Sequence, residues 1–289
     1  MPTRVKKLLG ALTLSTAAAG IFVAGVWRPT VAEGQTAAYR APRFPGTQSP
    51  NLNGVWQALT SANWDILEHP SGPGPYTQLL GAWGVQPGGQ GIVEGNEIPY
   101  KPDSVAKRRA NFERRLKFDP QNPHDMGDPE AKCYMPGVPR SMYMPYPFQV
   151  VQTRDQIMVA FEYASASRVI HIKDHREAPV PSWMGWSNGR WEGDTLVVDV
   201  TSQNGNSWLD RAGNFASDSL RVVERYTVTS PNHLLYEATL EDPATFTRPW
   251  KISFPLYRRM ERSIELSELK CVEFVEGYLY GTLRKKTGP

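Results

Sequence analysis

The stretch HIKDHRE, His171 to Glu177, places two imidazoles and two carboxylates within seven residues. Imidazole titrates near neutrality and binds divalent metals. His171, Asp174 and His175 are therefore candidates for general acid–base work or for metal binding. The two histidines stand four apart but at the end of a predicted strand, so the helical HExxH logic does not apply. The plain alternative is a polar turn. A second group holds Asp194, Asp199, Asn204, Asn206, Asp210 and Arg211, beside Trp208. Carboxyls about 5–10 Å apart could do glycosidic acid–base chemistry, and clustered oxygens could hold calcium. The alternative is a set of turn-capping Asx residues. Asp199 stands out because a carboxylate in mid-strand is not something a hairpin requires. There is no Gly-x-Ser-x-Gly elbow, Rossmann fingerprint or P-loop. Two cysteines without further Cys/His clustering do not indicate a zinc site, and the sequence names no cofactor.

The third feature is aromatic. Beyond residue 32 the chain carries Trp56, Trp64, Trp83, Trp183, Trp186, Trp191, Trp208 and Trp250. Such rings can line an apolar pocket or stack on sugars, and they also fill cores. Trp56, Trp183, Trp186, Trp191, Trp208 and Tyr163 are the candidate ligand-binding residues.

These residues must be positioned by a mainly β scaffold. Period-two alternation marks strands over 148–153, 156–164, 168–173, 186–192, 195–201, 220–229, 233–241 and 250–258, with a first strand in PNLNGVWQ around Trp56. Gly193 allows a reversal between two of them, and Asn188-Gly189 offers a second turn or a bulge. The segment GYLYGTL in the tail is also strand-like. A meander of this length tends to curl into a barrel that removes its edges. The predicted fold is an antiparallel barrel of calycin or lipocalin type with one flanking helix, the alternative being a β-sandwich. The helix is predicted over Asp103–Lys117, with Asp103 as its cap. Its six Arg and Lys residues are either a binding face or a solvated surface.

The stretches PNLNGVW (50–56), CYMPGVPR (133–140), PFQVVQTRDQIMVAFEY (147–163), GRWEGDTLVVDV (189–200), WLDRAGNFASDSLRVVERY (208–226) and DPATFTRPW (242–250) together resemble a widespread family of exported bacterial proteins with no established activity. The likeness covers most of the chain after residue 32. The chain departs from that pattern at Asp174-His175-Arg176, where the family has Asp-Gly-Arg, and at Ala216, where relatives often have a His. The Leu-x-Gly-x-Trp start also resembles the opening strand of lipocalin-type barrels, a likeness at the level of fold.

The N-terminus reads as an export signal: Arg4, Lys6 and Lys7, then an uncharged, mostly apolar run from Leu8 to Trp27, then a small-residue site ending at Ala32. The alternative is an uncleaved signal-anchor, which would be the chain's one contact with a membrane. Residues 33–49 read as a linker and 50–289 as a single domain. Removing residues 1–32 takes away four basic groups and no acid, so the formal net charge falls from +3 to −1. The electrostatic case for nucleic-acid binding leaves with that segment. A periplasmic or extracellular location follows, or a membrane-anchored one facing the periplasm. An oxidising compartment makes a Cys133–Cys271 disulfide plausible, against two free buried thiols. Pro and Gly make up about 17% of the chain, above the roughly 12% that is usual, so turns and irregular loops are expected.

Three functions remain open on the sequence. The first is a binding protein for a small, partly apolar or aromatic molecule, which predicts a cavity inside the barrel. The second is an enzyme on a small molecule or sugar, which predicts that His171, Asp174, His175 or Asp199 converge. The third is an envelope interaction protein, which predicts a large exposed apolar patch.

Overall fold

The computed structural model describes residues 39–74, 84–115, 127–280 and 282. The described residues belong to one compact unit spanning Ala38–Pro289. The predicted export segment and Trp83 lie outside the described residues.

Nine strands form a closed barrel: β1 (Gly54–Ala58), β2 (Phe148–Gln152), β3 (Gln156–Phe161), β4 (Ser167–His171), β5 (Trp186–Glu192), β6 (Thr195–Thr201), β7 (Arg221–Ser230), β8 (His233–Glu241) and β9 (Trp250–Arg258). Each strand pairs with its neighbour in sequence, and β9 returns to pair with β1, as in Ala58↔Leu256. This is the expected meander barrel, and closure sets the sandwich aside. A ring with an odd number of strands cannot alternate direction all the way round. The odd step falls between β4 and β5, a parallel pair with only Ile170↔Ser187 and His171↔Asn188 in register. A parallel neighbour needs a crossover connection, and residues 172–185 supply it.

The alternation that marks the strands also sorts the two faces of the wall. Leu234, Tyr236, Ala238 and Leu240 of β8 are buried, as are Trp250, Ile252, Phe254 and Leu256 of β9. On the outer face Val151, Met158 and Val169 stand opposite one another across β2, β3 and β4 and are about 40% exposed. Gly54 explains the Leu-x-Gly-x-Trp start. A side chain there would collide with the Arg258 guanidinium, which lies 4.2 Å over the Trp56 ring and donates to the Asn53 carbonyl at 2.7 Å.

Four local expectations are corrected. Asn188-Gly189 is not a turn: both residues lie within β5, paired with Asp199 and Val198. Gly189 is needed because a Cβ there would meet Ile170 Cγ2 at 2.6 Å. The GYLYGTL segment is not a strand. Helix α2 runs over Val275–Tyr280, and the closed barrel leaves no edge for a tenth strand to join. Helix α1 runs over Pro102–Arg114 with Lys101 before it, and Asp103 sits in its first turn without making a side-chain cap. Proline suits that first position because its missing N–H has no helical partner there anyway. Residues 116 and 117 lie outside the described residues. Finally, the part of the predicted linker that is described folds back on itself. Arg43 bridges Pro50, and its guanidinium pairs with Asp194.

Cys133 and Cys271 form a disulfide. It ties the segment after β9 to the loop before β2, where the Phe274 N–H also donates to the Ala131 carbonyl at 2.7 Å. No helix among the described residues is long and apolar enough to cross a membrane.

Candidate functional site

The barrel interior is filled. The cavity left among Trp56, Phe148, Ile157, Leu196, Tyr226 and Leu256 measures about 10 Å³. That is the room of about one water, against the roughly 300–1,000 Å³ of small-molecule sites. Two things take up the space. One is aromatic bulk, with Trp56, Phe148 and Tyr236 all essentially inaccessible. The other is the segment Arg140–Met144, wholly buried, whose Met142 sulfur lies 3.7 Å from the Tyr226 hydroxyl. The expected internal ligand cavity is therefore absent among the described residues.

The interior instead holds a buried polar knot. Arg168 of β4 makes two parallel bonds to Glu224 of β7, at 2.8 and 2.9 Å. The hydroxyls of Tyr226 and Tyr236 each donate to Glu224 Oε1 at 2.8 Å. Burial alone would lower the Arg168 pKa, but the Glu224 carboxylate outweighs it and holds the guanidinium above its ordinary value. Sequence reasoning missed this knot, although Glu224 shares an otherwise apolar strand face.

A roomier site lies outside the barrel. A cleft of about 360 Å³ opens between α1 and the loops beside it. Its walls carry four aromatic rings, Tyr134, Trp183, Trp208 and Phe215, with Asn206 and the α1 residues Lys107, Asn111 and Arg114. Spacing of i, i+4 and i+7 puts those three on one helical face.

Each wall has its own support. Trp183 lies on the crossover, and the Ser182 backbone pairs with residues 202–204 through Ser182 N–H to Ser202 O (3.0 Å) and Asn204 N–H to Ser182 O (2.9 Å). The Trp183 ring stacks on Tyr134, with centroids 4.8 Å apart and planes 19° apart. Tyr134 follows the disulfide residue Cys133, and the loop below it is held by Arg140. That guanidinium, 1% exposed, makes two bonds to Asp128 (2.8 and 2.9 Å) and one to Asn63 Oδ1 (2.9 Å). Arg211 completes the layer through Glu130 at 2.7 and 3.0 Å. Burial would raise Glu130, but the charges of Arg211 and Arg140 prevail and hold it below the usual carboxylate range.

Trp208 and Phe215 face each other as a bridged pair at the mouth of a tight turn. The turn needs Gly213, at φ +84°, because a Cβ there would strike Asn111 and the Phe112 backbone. The Asn111 amide donates to the Gly213 carbonyl at 3.2 Å, which fixes α1 against the turn. Lys107 holds its ammonium 4.4 Å over the Phe215 ring.

Asp210 anchors this turn from inside. Its carboxylate accepts from Ile66 N–H, Asn214 N–H and the Asn214 amide, at 3.0, 3.0 and 2.6 Å. Burial, and after it the charge of Asp65, push Asp210 up to about 7. Asp65 is itself raised, chiefly by burial. The fold therefore favours the protonated form. The stability contribution of Asp210 is full below its unfolded value near 3.8 and is lost as pH rises towards about 7. Asp65→Asn removes the neighbouring charge and keeps an acceptor for the Leu67 N–H. Urea unfolding from about pH 4 to about pH 8 should show the variant gaining on the wild type as pH rises, by about 1–2 kcal/mol, with a plateau above about pH 7. A difference that does not vary with pH would remove the carboxylate coupling from this account.

The acid–base candidates form no hydrogen-bonded group among the described residues. Asp199 is bound to Arg221, with contacts of 2.6 and 2.9 Å. The His175 ring meets the Gly189 carbonyl at 2.8 Å. His171 stacks on Trp186 with centroids 4.7 Å apart, and its pKa is lowered first by partial burial and then by Arg176 and His175. Asp174 is exposed in a turn at φ +55°. Among the described residues no hydrogen bond joins any two of these four, and no cluster of three His, Cys, Asp or Glu is placed to hold a metal. In the second group, Asp194 pairs with Arg43 and Asp210 is buried, so it too is dispersed.

Of the aromatic candidates, Trp183 and Trp208 line the cleft. Trp56 is core, its indole N–H donating to the Leu52 carbonyl at 3.0 Å. Trp191 packs against the core, and Trp186 lies on the β4–β5 seam with His171. Tyr163 is buried beside the disulfide loop, its hydroxyl donating to the Glu130 carbonyl at 2.7 Å. Asn206 belongs to the second group marked by sequence; Lys107, Asn111, Arg114, Tyr134 and Phe215 were not singled out there, though the basic helix face was marked.

Fold and site together define a closed, packed β-barrel with an open cleft on the outside, against a helix. Comparison with protein-family models, with curated proteins and with solved structures finds no match to this chain.

Proposed function

We propose that this is an exported binding protein that holds a small, ring-bearing molecule in the cleft beside α1. The reading rests on one observation: four aromatic rings and two amides line a 360 Å³ cleft, while the barrel interior is filled. That volume falls within the range of small-molecule sites. The stacked Tyr134–Trp183 pair presents a flat apolar platform, and Asn206 places a polar group close by. Export is supported by the basic and apolar N-terminal pattern and by the disulfide, which suits an oxidising compartment.

The test is a binding screen of aromatic and sugar compounds against the protein recovered from a bacterial periplasm, read by native mass spectrometry and tryptophan fluorescence. Trp183→Ala should weaken the best binder about tenfold or more, the worth of one stacked ring. Trp186→Ala, on the barrel wall, should leave affinity unchanged. Equal affinity in wild type and Trp183→Ala would move the site elsewhere.

A further inference from the structure

We infer that the cleft selects anions, specifically molecules that carry a carboxylate or sulfate on a ring. The inference rests on the cleft being the ligand site. Its basis is the charge of the lining. Lys107 and Arg114 face the cleft from α1, and no aspartate or glutamate is among the described residues that line it. Among the described residues, a negative group placed there meets two cations and no lining carboxylate.

The two cations are held for the task. The Lys107 ammonium sits over the Phe215 ring, which fixes it at the aromatic wall while leaving the residue exposed. Arg114 spends one Nη on Asn111 Oδ1 at 3.2 Å, and its Nε is buried with no hydrogen-bond partner. Asn111 Oδ1 accepts from that Nη and not from Nε, while the Asn111 amide nitrogen donates to the Gly213 carbonyl. Arg114 thus keeps unmet donor capacity beside the cleft, and buried donors are seldom left unpaired. A planar acid is the acceptor a guanidinium fork suits best. On the outer side of the helix, Arg109 is bound to Glu113 four residues on. With a net charge of −1 once residues 1–32 are removed, this positive patch is a local feature and not a reflection of the whole protein.

The ring and the charge are then read together. The ring lies on the Trp183–Tyr134 platform, and the acid reaches across to α1. Aromatic carboxylates and acidic sugars share this chemistry, and matched probes separate them. Naphthoate is compared with naphthylmethanol, and trigalacturonate with galactotriose, by titration calorimetry at about 50 mM and about 500 mM salt. The acid of at least one pair should bind about tenfold or more tighter than its neutral twin, an advantage that shrinks severalfold at high salt. In Lys107→Gln/Arg114→Gln the preference should vanish while affinity for the neutral twin holds. Lys107→Gln alone, at an exposed position, carries the test if the double variant does not fold, and should lose part of the preference. Neutral twins that bind as well as the acids would overturn the inference and leave the cleft as a ring site. Failure of all four probes, with no quenching of tryptophan, would overturn both.

Discussion

Glu224→Leu lowers the stability of the folded protein by about 3–5 kcal/mol, while Arg168→Met/Glu224→Leu restores most of that loss. The single change removes the counter-ion of a guanidinium whose side chain is 2% exposed and partnered from Glu224 at 2.8 and 2.9 Å. A charge left alone in a low-dielectric interior costs several kcal/mol. It also leaves the Tyr236 hydroxyl without its acceptor. The double change replaces the pair by apolar groups of similar volume, and such replacements are often neutral or stabilising. Two hydroxyls remain the weakness of the double variant: Tyr236 loses its Glu224 acceptor, and Tyr226 loses both Arg168 and Glu224 and keeps the Met142 sulfur. Urea denaturation of wild type and the two variants checks this. A single variant that costs under about 1 kcal/mol would show that water enters the barrel to solvate Arg168.

Cys271→Ser is the second large effect. The bridge joins residues 138 apart in sequence, and the chain-entropy account assigns a loop of that length about 5 kcal/mol. At roughly 2–4 °C per kcal/mol for a domain of this size, Tm falls by up to about 10–20 °C. That is an upper value, because the bridged segment lies outside the barrel and can separate before the barrel does. Other contacts hold it as well, among them Phe274 N–H to the Ala131 carbonyl, Ser267 N–H to Glu162 at 3.0 Å, and Lys132 over the Phe274 ring at 5.8 Å. Hydrogen exchange resolves the two events. The Phe274 amide should lose protection first, and amides of β7 and β8 should keep theirs up to global unfolding. Unchanged Tm with a protected Phe274 amide would show that the remaining contacts suffice. Because Tyr134 follows Cys133, ligand affinity in the cleft should fall with the bridge as well.

The strands were legible because a pleated wall with one packed face writes its period into the chain. The expected strand ranges match those of β2 to β9 to within a few residues at each end. Closure was legible too, as the escape from exposed edges. The filling of the barrel was not. Arg168 opens a strand and reads as a solvated residue until the register sets it opposite Val159, on the inner face. The pair of clues, one acid on the apolar face of β7 and one base on the apolar face of β4, becomes an ion pair only once the ring is closed. The cleft was half legible. Tryptophan density marked Trp183 and Trp208, and the basic helix was noted as one possible binding face. What brings residues 107, 134, 183 and 208 together is loop packing by Arg140, Asp210 and Gln203, whose amide makes two 2.8 Å bonds to the Val138 backbone. Such contacts span many residues and leave no local period.

The odd strand count has an evolutionary side. Hairpins are gained and lost as pairs of strands, so such changes leave the ring odd and its parallel seam in place. A single added or deleted strand would make the ring even, and the crossover at 172–185 would no longer be required. That crossover carries Trp183, the platform of the cleft. The parity of the barrel and the Trp183 wall of the cleft are therefore tied together through this one crossover.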